Sequence, residues 1–230
     1  MEKYCKTNKT NYWNNDFTPE ELNLISERVL KIYINNKLTY RVTHTPYNQK
    51  ELAIGFSVTS GLLKRREDIE NIVFYNEGDN DIVKMTIINA DKNNKKSVDG
   101  FEDEIDYKKI DKIINSLSEY QPLYEKTRAT HAAVMFDKNY NMVAFAEDIG
   151  RHNTVDKTVG DLYNKDLFDK ASILLVSSRV SYDLILKLVH ANIPILLALS
   201  RPSRLAIDTA KKYNVKVITI GADNGLDIYT

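Results

Sequence analysis

Cysteine is almost absent from this chain. Cys5 is the only one in 230 residues, which excludes an internal disulfide framework and any multi-cysteine zinc site. An excess of either charge is absent too: lysine plus arginine and aspartate plus glutamate each number 32. No global field therefore draws the molecule to nucleic acid or to an anionic membrane, and any phosphate recognition has to come from a local cluster. Long hydrophobic runs are also missing. No stretch approaches the roughly 18 apolar residues that a membrane span needs, and the opening Met1 to Lys6 lacks the apolar stretch of a signal peptide, so a cytoplasmic location is expected. What the chain does have is 43% hydrophobic residues, enough to bury a substantial core as one domain or two closely associated ones.

Residues 1–28 are rich in Asn and Lys and read as a poorly ordered segment, although Thr18-Pro-Glu-Glu21 has the form of a helix cap and first turn. Residues 29–104 read as a small α+β region. Alternating apolar residues from Leu30 to Val42 flank Asn35-Asn36, a type I′ hairpin signal. Gln49 to Ser60 reads as a helix stopped by Gly61, and Ile72–Tyr75 with Ile82–Ile88 as a second hairpin. Asn89 to Glu104 is polar, carries Gly100, and is the expected mobile divider. Residues 105–230 read as an α/β domain. Asp106 caps a helix with Ile110, Ile113, Ile114 and Leu117 on one face. Thr130–Phe136 and Met142–Ala146 form a hairpin, a helix begins near Asn153, and a β-α-β-α-β run closes the chain. The order from Thr130 describes a mixed sheet with helices packed on it.

In that closing run, Ser172–Ser177, Ile193–Leu199 and Val215–Ile220 are short and nearly all apolar, as strands covered on both faces must be. Each enters a small polar junction: Ser178-Arg-Val-Ser181, Ser200-Arg-Pro-Ser-Arg204 and Gly221-Ala-Asp-Asn-Gly225. Ligands of open α/β sheets sit outside the carboxyl ends of the strands, where helix N-termini attract anions. Four of the nine arginines, Arg151, Arg179, Arg201 and Arg204, fall at junctions in the last 80 residues, and the guanidinium fork suits phosphate; any one of them could equally be solvated surface.

The densest polar cluster is Glu147-Asp148-Ile149-Gly150-Arg151-His152-Asn153. Asp148 and His152 are candidates for an acid/base pair and Arg151 with Asn153 for an anion clamp; the alternative is a helix start capped by Asn153 with its charges in water. His131 lies in an apolar run and is either a ligand contact or a satisfied core histidine. His44 and His190 invite only the structural reading, and Cys5 that of a free thiol in a disordered tail.

Several segments together resemble one family, the formate dehydrogenase accessory sulfurtransferases (FdhD). They are Arg41 to Pro46, Glu51 to Phe56 with Thr59 to Leu63, Thr127 to Ala133, Glu147 to Asn153 with Asp156-Lys157, Ser177 to Ser181, Pro194 to Ser200 and Gly225 to Thr230, in order across roughly residues 28–230. The resemblance implies a cytidine-deaminase-like α/β fold, a mixed sheet with flanking helices plus a smaller α+β N-terminal region, usually in a homodimer. It implies an accessory role for formate dehydrogenase, in which sulfur from a cysteine desulfurase passes as a persulfide to molybdenum (or tungsten) bis(guanine dinucleotide), with GDP as the mimic. The family's dinucleotide loop matches Ile220, Gly221, Ala222, Asp223, Asn224 and Gly225. His131, Asp148, Arg151, His152, Asn153, Ser177, Arg179, Ser181, Ser200 and Arg204 complete the candidate cofactor site. The family's sulfur-carrying Cys-x-x-Cys pair has no counterpart in residues 89–104, and a persulfide needs a thiolate, so no catalytic residue is assigned. The alternative is a cysteine-less paralogue serving as a nucleotide- or cofactor-binding scaffold. Zinc-deaminase chemistry is excluded by the donor set: His131-Ala-Ala133 lacks the glutamate and Ser177-Ser-Arg179 has no thiols.

Overall fold

The structure is a computed structural model that describes residues 2–13, 16–89, 97–101, 104–221, 223 and 225–229. It begins with a correction. Strands β1 (Tyr4–Trp13) and β2 (Asp16–Ile25) pair antiparallel from Tyr4 opposite Ile25 to Trp13 opposite Asp16, where the sequence suggested irregular chain and a helix at Thr18. Two features make a polar ribbon workable. Pro19 needs no ladder donor on an outer strand, and Lys6 with Glu21 (2.6 Å) and Lys9 with Glu20 (3.0 Å) place opposite charges across it. Cys5 therefore lies in a strand, exposed.

Next come β3 (Arg28–Ile34) and β4 (Lys37–His44), joined through Asn35 and Asn36 at φ 50° and 64°, the left-handed backbone that a two-residue hairpin loop demands and Asn tolerates. Helix α1 (Gln49–Thr59) follows and stops at Gly61, φ 73°. Strands β5 (Ile69–Glu77) and β6 (Asn80–Ile87) complete a four-stranded sheet in the order β4-β3-β6-β5. Its inner face, with Leu30, Ile32, Val83 and Met85, packs into the main core with α1. The expected divider, residues 89–104, falls largely outside the described residues, at 90–96 and 102–103. Its described part is tied down: Val98 is buried and exchanges hydrogen bonds with Tyr213 and Asn214.

The second region opens with α2 (Tyr107–Asn115), capped by the Asp106 carboxylate through the amides of Lys108 and Lys109, and a short helix, α3 (Pro122–Thr127), that the sequence did not announce. Then follow β7 (His131–Phe136), β8 (Met142–Asp148), α4 (Arg151–Asn164), β9 (Ile173–Val176), α5 (Tyr182–His190), β10 (Ile195–Ala198), α6 (Arg204–Tyr213), β11 (Lys216–Ile220) and β12 (Leu226–Tyr229). The sheet order is β12-β11-β10-β9-β7-β8, with β9, β10 and β11 parallel and the flanking pairs antiparallel, the mixed α/β sheet expected. One face packs residues such as Leu174, Leu196 and Val217 into the main core, and the other packs Ile173, Leu175 and Ile195 with α2. Among the described residues no helix is long and apolar enough to cross a membrane.

The two regions are joined by the crossing of α1 and α4, and two glycines set how close it is. A Cβ placed on Gly55 would fall 1.7 Å from the Asp156 carbonyl oxygen, and one on Gly160 1.9 Å from that of Glu51. Both contacts are with backbone, so nothing local can yield. We expect Gly160→Ala to force the helices apart at a cost of about 3 kcal/mol, lowering the melting temperature by about 6–12 °C in a calorimetric scan; an unchanged transition would show that the helices are not in backbone contact.

Candidate functional site

Because β9, β10 and β11 are parallel, Val176, Ala198 and Ile220 end on one edge of the sheet. Strand β7 runs the other way, so His131 starts at that edge, and Asp148 at the end of β8 lies directly opposite it. Segments 148–152, 177–181, 199–204 and 220–225 therefore all leave from one side. The second and third are linked directly, with the Ser203 amide donating to the Val180 carbonyl at 3.0 Å.

His131 is half-buried. Its Nδ1 lies 3.3 Å from the Ser177 hydroxyl, which also accepts from the Ala132 amide at 3.0 Å. Burial first, then the charges of Arg151 and Arg179, hold its imidazole below the ordinary histidine value of 6.5. Both guanidinium groups thus act on the same ring from different segments. His152 is depressed as well, by burial and then by Lys187 and Arg151, and its Nδ1 is buried with no hydrogen-bond partner among the described residues. On the far side of the edge the Gly221 amide donates to the Gly225 carbonyl at 2.7 Å. A Cβ on Gly221 would meet the Asp227 carboxylate at 2.9 Å, so a larger residue there would displace that side chain. Ile220 is half-buried and Asp223 exposed; Ala222 and Asn224 lie outside the described residues.

Other candidates are occupied elsewhere. The Ser181 hydroxyl caps α5 through the Leu184 amide, as Ser203 caps α6. Ser200 is half-buried in its loop. The Arg204 side chain is 95% exposed and leans 3.7 Å from Asp208 along the outside of α6, so it does not join Arg151 and Arg179.

The seven-residue cluster resolves differently from either sequence reading. Asp148 is fully buried, and its carboxylate accepts from Lys157 (2.6 Å), Asn153 (2.8 Å) and the amides of Gly150 (2.8 Å) and Thr45 (3.1 Å). It therefore has no capacity left to orient His152, and the acid/base pair does not form. The helix begins at Arg151 with Gly150 at its cap; Asn153 is buried inside the first turn, donating to Asp148 and to the Thr43 carbonyl. Glu147 caps a different helix. Its carboxylate accepts from the Leu123 and Tyr124 amides at 2.7 and 2.8 Å and from the Thr130 hydroxyl at 2.9 Å, supplying α3 with the cap that Gln121 does not. Both carboxylates are structural, and Arg151 and His152 are what the loop delivers to the edge.

Sequence reasoning missed the residues that hold this loop. Lys157 is fully buried, donates to the Thr45 carbonyl at 2.9 Å and lies 3.9 Å from the centre of the Tyr47 ring. The Tyr47 hydroxyl bonds to the backbone of Glu147. The residue preceding Lys157, Asp156, is buried as well and accepts from Lys187 (2.7 Å) and Thr59 (2.6 Å). The available signal was a lysine set between Val155 and Val159, on a helix whose residues Asn153 to Gly160 are all buried.

The FdhD/NarQ family model matches residues 25–103 and 80–230. Protein FdhD of Methanocaldococcus jannaschii is 31% identical over 235 residues, covering 100% of this chain and 97% of that protein. The protein named sulfur carrier protein FdhD in Streptomyces coelicolor is 31% identical over 243 residues, covering 90% of this chain and 86% of its own length. A crystal structure described as a candidate formate dehydrogenase accessory protein from Desulfotalea psychrophila superposes with a TM-score of 0.84 at 18% identity, covering 100% of this chain and 97% of that one.

Removing one partner of a buried ion pair strands the other charge. We expect Lys157→Met to cost about 3–5 kcal/mol in urea unfolding, and the Asp148→Asn, Lys157→Met double variant to cost less than Lys157→Met alone. A Lys157→Met midpoint equal to wild type would remove the pair from the account.

Proposed function

The chain belongs to the FdhD/NarQ family, and from that premise we propose that it is a formate dehydrogenase accessory protein that binds a bis(guanine dinucleotide) molybdenum or tungsten cofactor as cargo. The cargo would lie at the carboxyl edge of the six-stranded sheet and be handed on to the enzyme. The observation that carries this reading is the placement of two exposed arginines at the strand edge where His131 begins, Arg151 three residues past its register partner Asp148 and Arg179 two residues past its hydrogen-bond partner Ser177. Cationic forks brought from different segments to one edge suit a diphosphate-linked ligand. The glycine at the end of β11, Gly221, and the His152 Nδ1, buried without a hydrogen-bond partner among the described residues, fit the same use, as glycine turns at strand ends let backbone approach a nucleotide. In this reading Arg151 and Arg179 hold phosphate, His131 donates a hydrogen bond to it, and the Gly221–Gly225 turn borders the nucleoside. The chain performs no chemistry on the cargo with the residues described.

Sulfur carriage, which the names of several relatives state, has one possible carrier here. Cys5 is the only thiol and is exposed on β1, at the other end of the N-terminal region in sequence from residues 89–104, the stretch that matches the family's cysteine pair. We assign this chain cofactor binding without persulfide carriage.

Calorimetry with GDP tests the site. Binding is expected, and Arg179→Ala should weaken it at least about tenfold, the loss of one charge-assisted contact to phosphate. No heat at millimolar GDP would overturn the assignment. In the companion experiment, incubation with a cysteine desulfurase and cysteine should leave the mass of the chain unchanged; a persulfide on Cys5 would replace the binding-only role with that of a carrier.

A further inference from the structure

His131 has a hydrogen-bond arrangement suited to two protonation states. The Ser177 hydroxyl next to its Nδ1 takes one hydrogen bond from the Ala132 amide and keeps a rotatable proton and a second lone pair. It can donate to a neutral Nδ1 or accept from a protonated one by rotating that proton alone, with the heavy atoms in place. Among the described residues Nε2 makes no hydrogen bond. The groups around the ring are almost all positive or neutral. From α4 come Arg151 and, one residue on, His152; from the loop after β9 come Arg179 and Ser177. The two carboxylates that β8 places opposite His131 and Ala132 are spent elsewhere, Asp148 on Lys157 and Glu147 on the α3 amides. An imidazole placed this way is biased toward its neutral form while the site is empty, by its burial first and then by the repulsion of its cationic neighbours.

We propose that anion binding at this edge is coupled to proton uptake by His131. A phosphate or diphosphate settling between Arg151 and Arg179 cancels their repulsion and offers an acceptor to Nε2. The ring then takes a proton from solvent at Nδ1, which donates to Ser177, while Nε2–H donates to the ligand. The site thereby selects multiply charged phosphates over singly charged carboxylates, since only the former repay a third cation, and it holds them more tightly as pH falls. This inference rests on the anion-binding role proposed above.

The test is calorimetry of the full chain with GDP and, separately, inorganic diphosphate near pH 6.5, in buffers of different ionisation enthalpy, so that the protons exchanged on binding are counted. The decisive quantity is the difference between wild type and His131→Gln, which cancels protons contributed by the ligand's own phosphate. The amide keeps a donor but cannot titrate. Wild type should take up between about half a proton and one proton more than His131→Gln, with both ligands if phosphate is the recognised group and with GDP alone if the nucleoside is required to seat it. His152→Gln, which removes the neighbouring imidazole, should retain the extra uptake. Equal proton counts in wild type and His131→Gln, or loss of the extra uptake in His152→Gln with its retention in His131→Gln, would overturn the proposal while leaving anion binding intact. Absence of any binding to wild type would instead overturn the anion site itself, and this coupling with it.

Discussion

The architecture depends on one buried ion pair. Asp148 and Lys157 are both fully buried and 2.6 Å apart, and each also grips the backbone of Thr45 from the N-terminal region, the carboxylate through its amide and the ammonium through its carbonyl. Two opposite charges withdrawn from water contribute little net stability compared with an apolar replacement. They do specify geometry, because an apolar pair would accept many relative positions of the two regions and this one accepts a single arrangement. Asp81 does the same nearby. It is fully buried, accepts from Arg28 and Asn76 at 2.7 Å and from Gln49 at 3.1 Å, and lies 3.0 Å from the buried His44. Residues 43–47 are thereby pinned from both sides, and the loop from Asp148 to His152 rests on them.

That arrangement explains how one sheet edge can collect positive charge without neutralising it. Every carboxylate of the loop is engaged below the surface, Glu147 on α3 and Asp148 on Lys157, so Arg151 faces outward beside His131 and Arg179 with no acidic side chain of its own loop to pair with. Had Asp148 been free to reach its own loop, the edge would be a closed salt-bridge network with little pull on an anion. The structural use of the two acids is thus a precondition for the binding use proposed for the cations.

Much of this was legible in the residues. The Asn35-Asn36 turn, the Asp106 cap, the α2 face of Ile110, Ile113 and Ile114 and the apolar strands of the last third follow from local periodicity and turn chemistry, which need no knowledge of distant partners. What could not be read depends on such partners. The ladder of β1 with β2 has a polar composition, and its cross-strand charge pairs become visible only once the register is known. Strand β12 is a terminal tetrapeptide that becomes a strand only by pairing with β11. Helix α3 gets its cap from Glu147, 23 residues beyond the amide of Tyr124. For Asp148 the misreading had the same cause: four residues from His152 in sequence it suggests a proton-transfer pair, but its partners include an amide 103 residues away. The gathering of the junction loops at one sheet edge was recognisable because position at strand ends is a topological fact, whereas the outward turn of Arg204 is a matter of side-chain packing that spacing does not encode.

The central claim, that Asp148 and Lys157 weld residues 43–47 to the edge loop, is tested most directly by native-state hydrogen exchange. The amides of Thr45, Ile149 and Gly150 all donate within this network. The account predicts that they exchange only through global unfolding, with protection equal to that of the β7 and β9 amides. Rapid exchange at these three positions while the sheet core stays protected would contradict it.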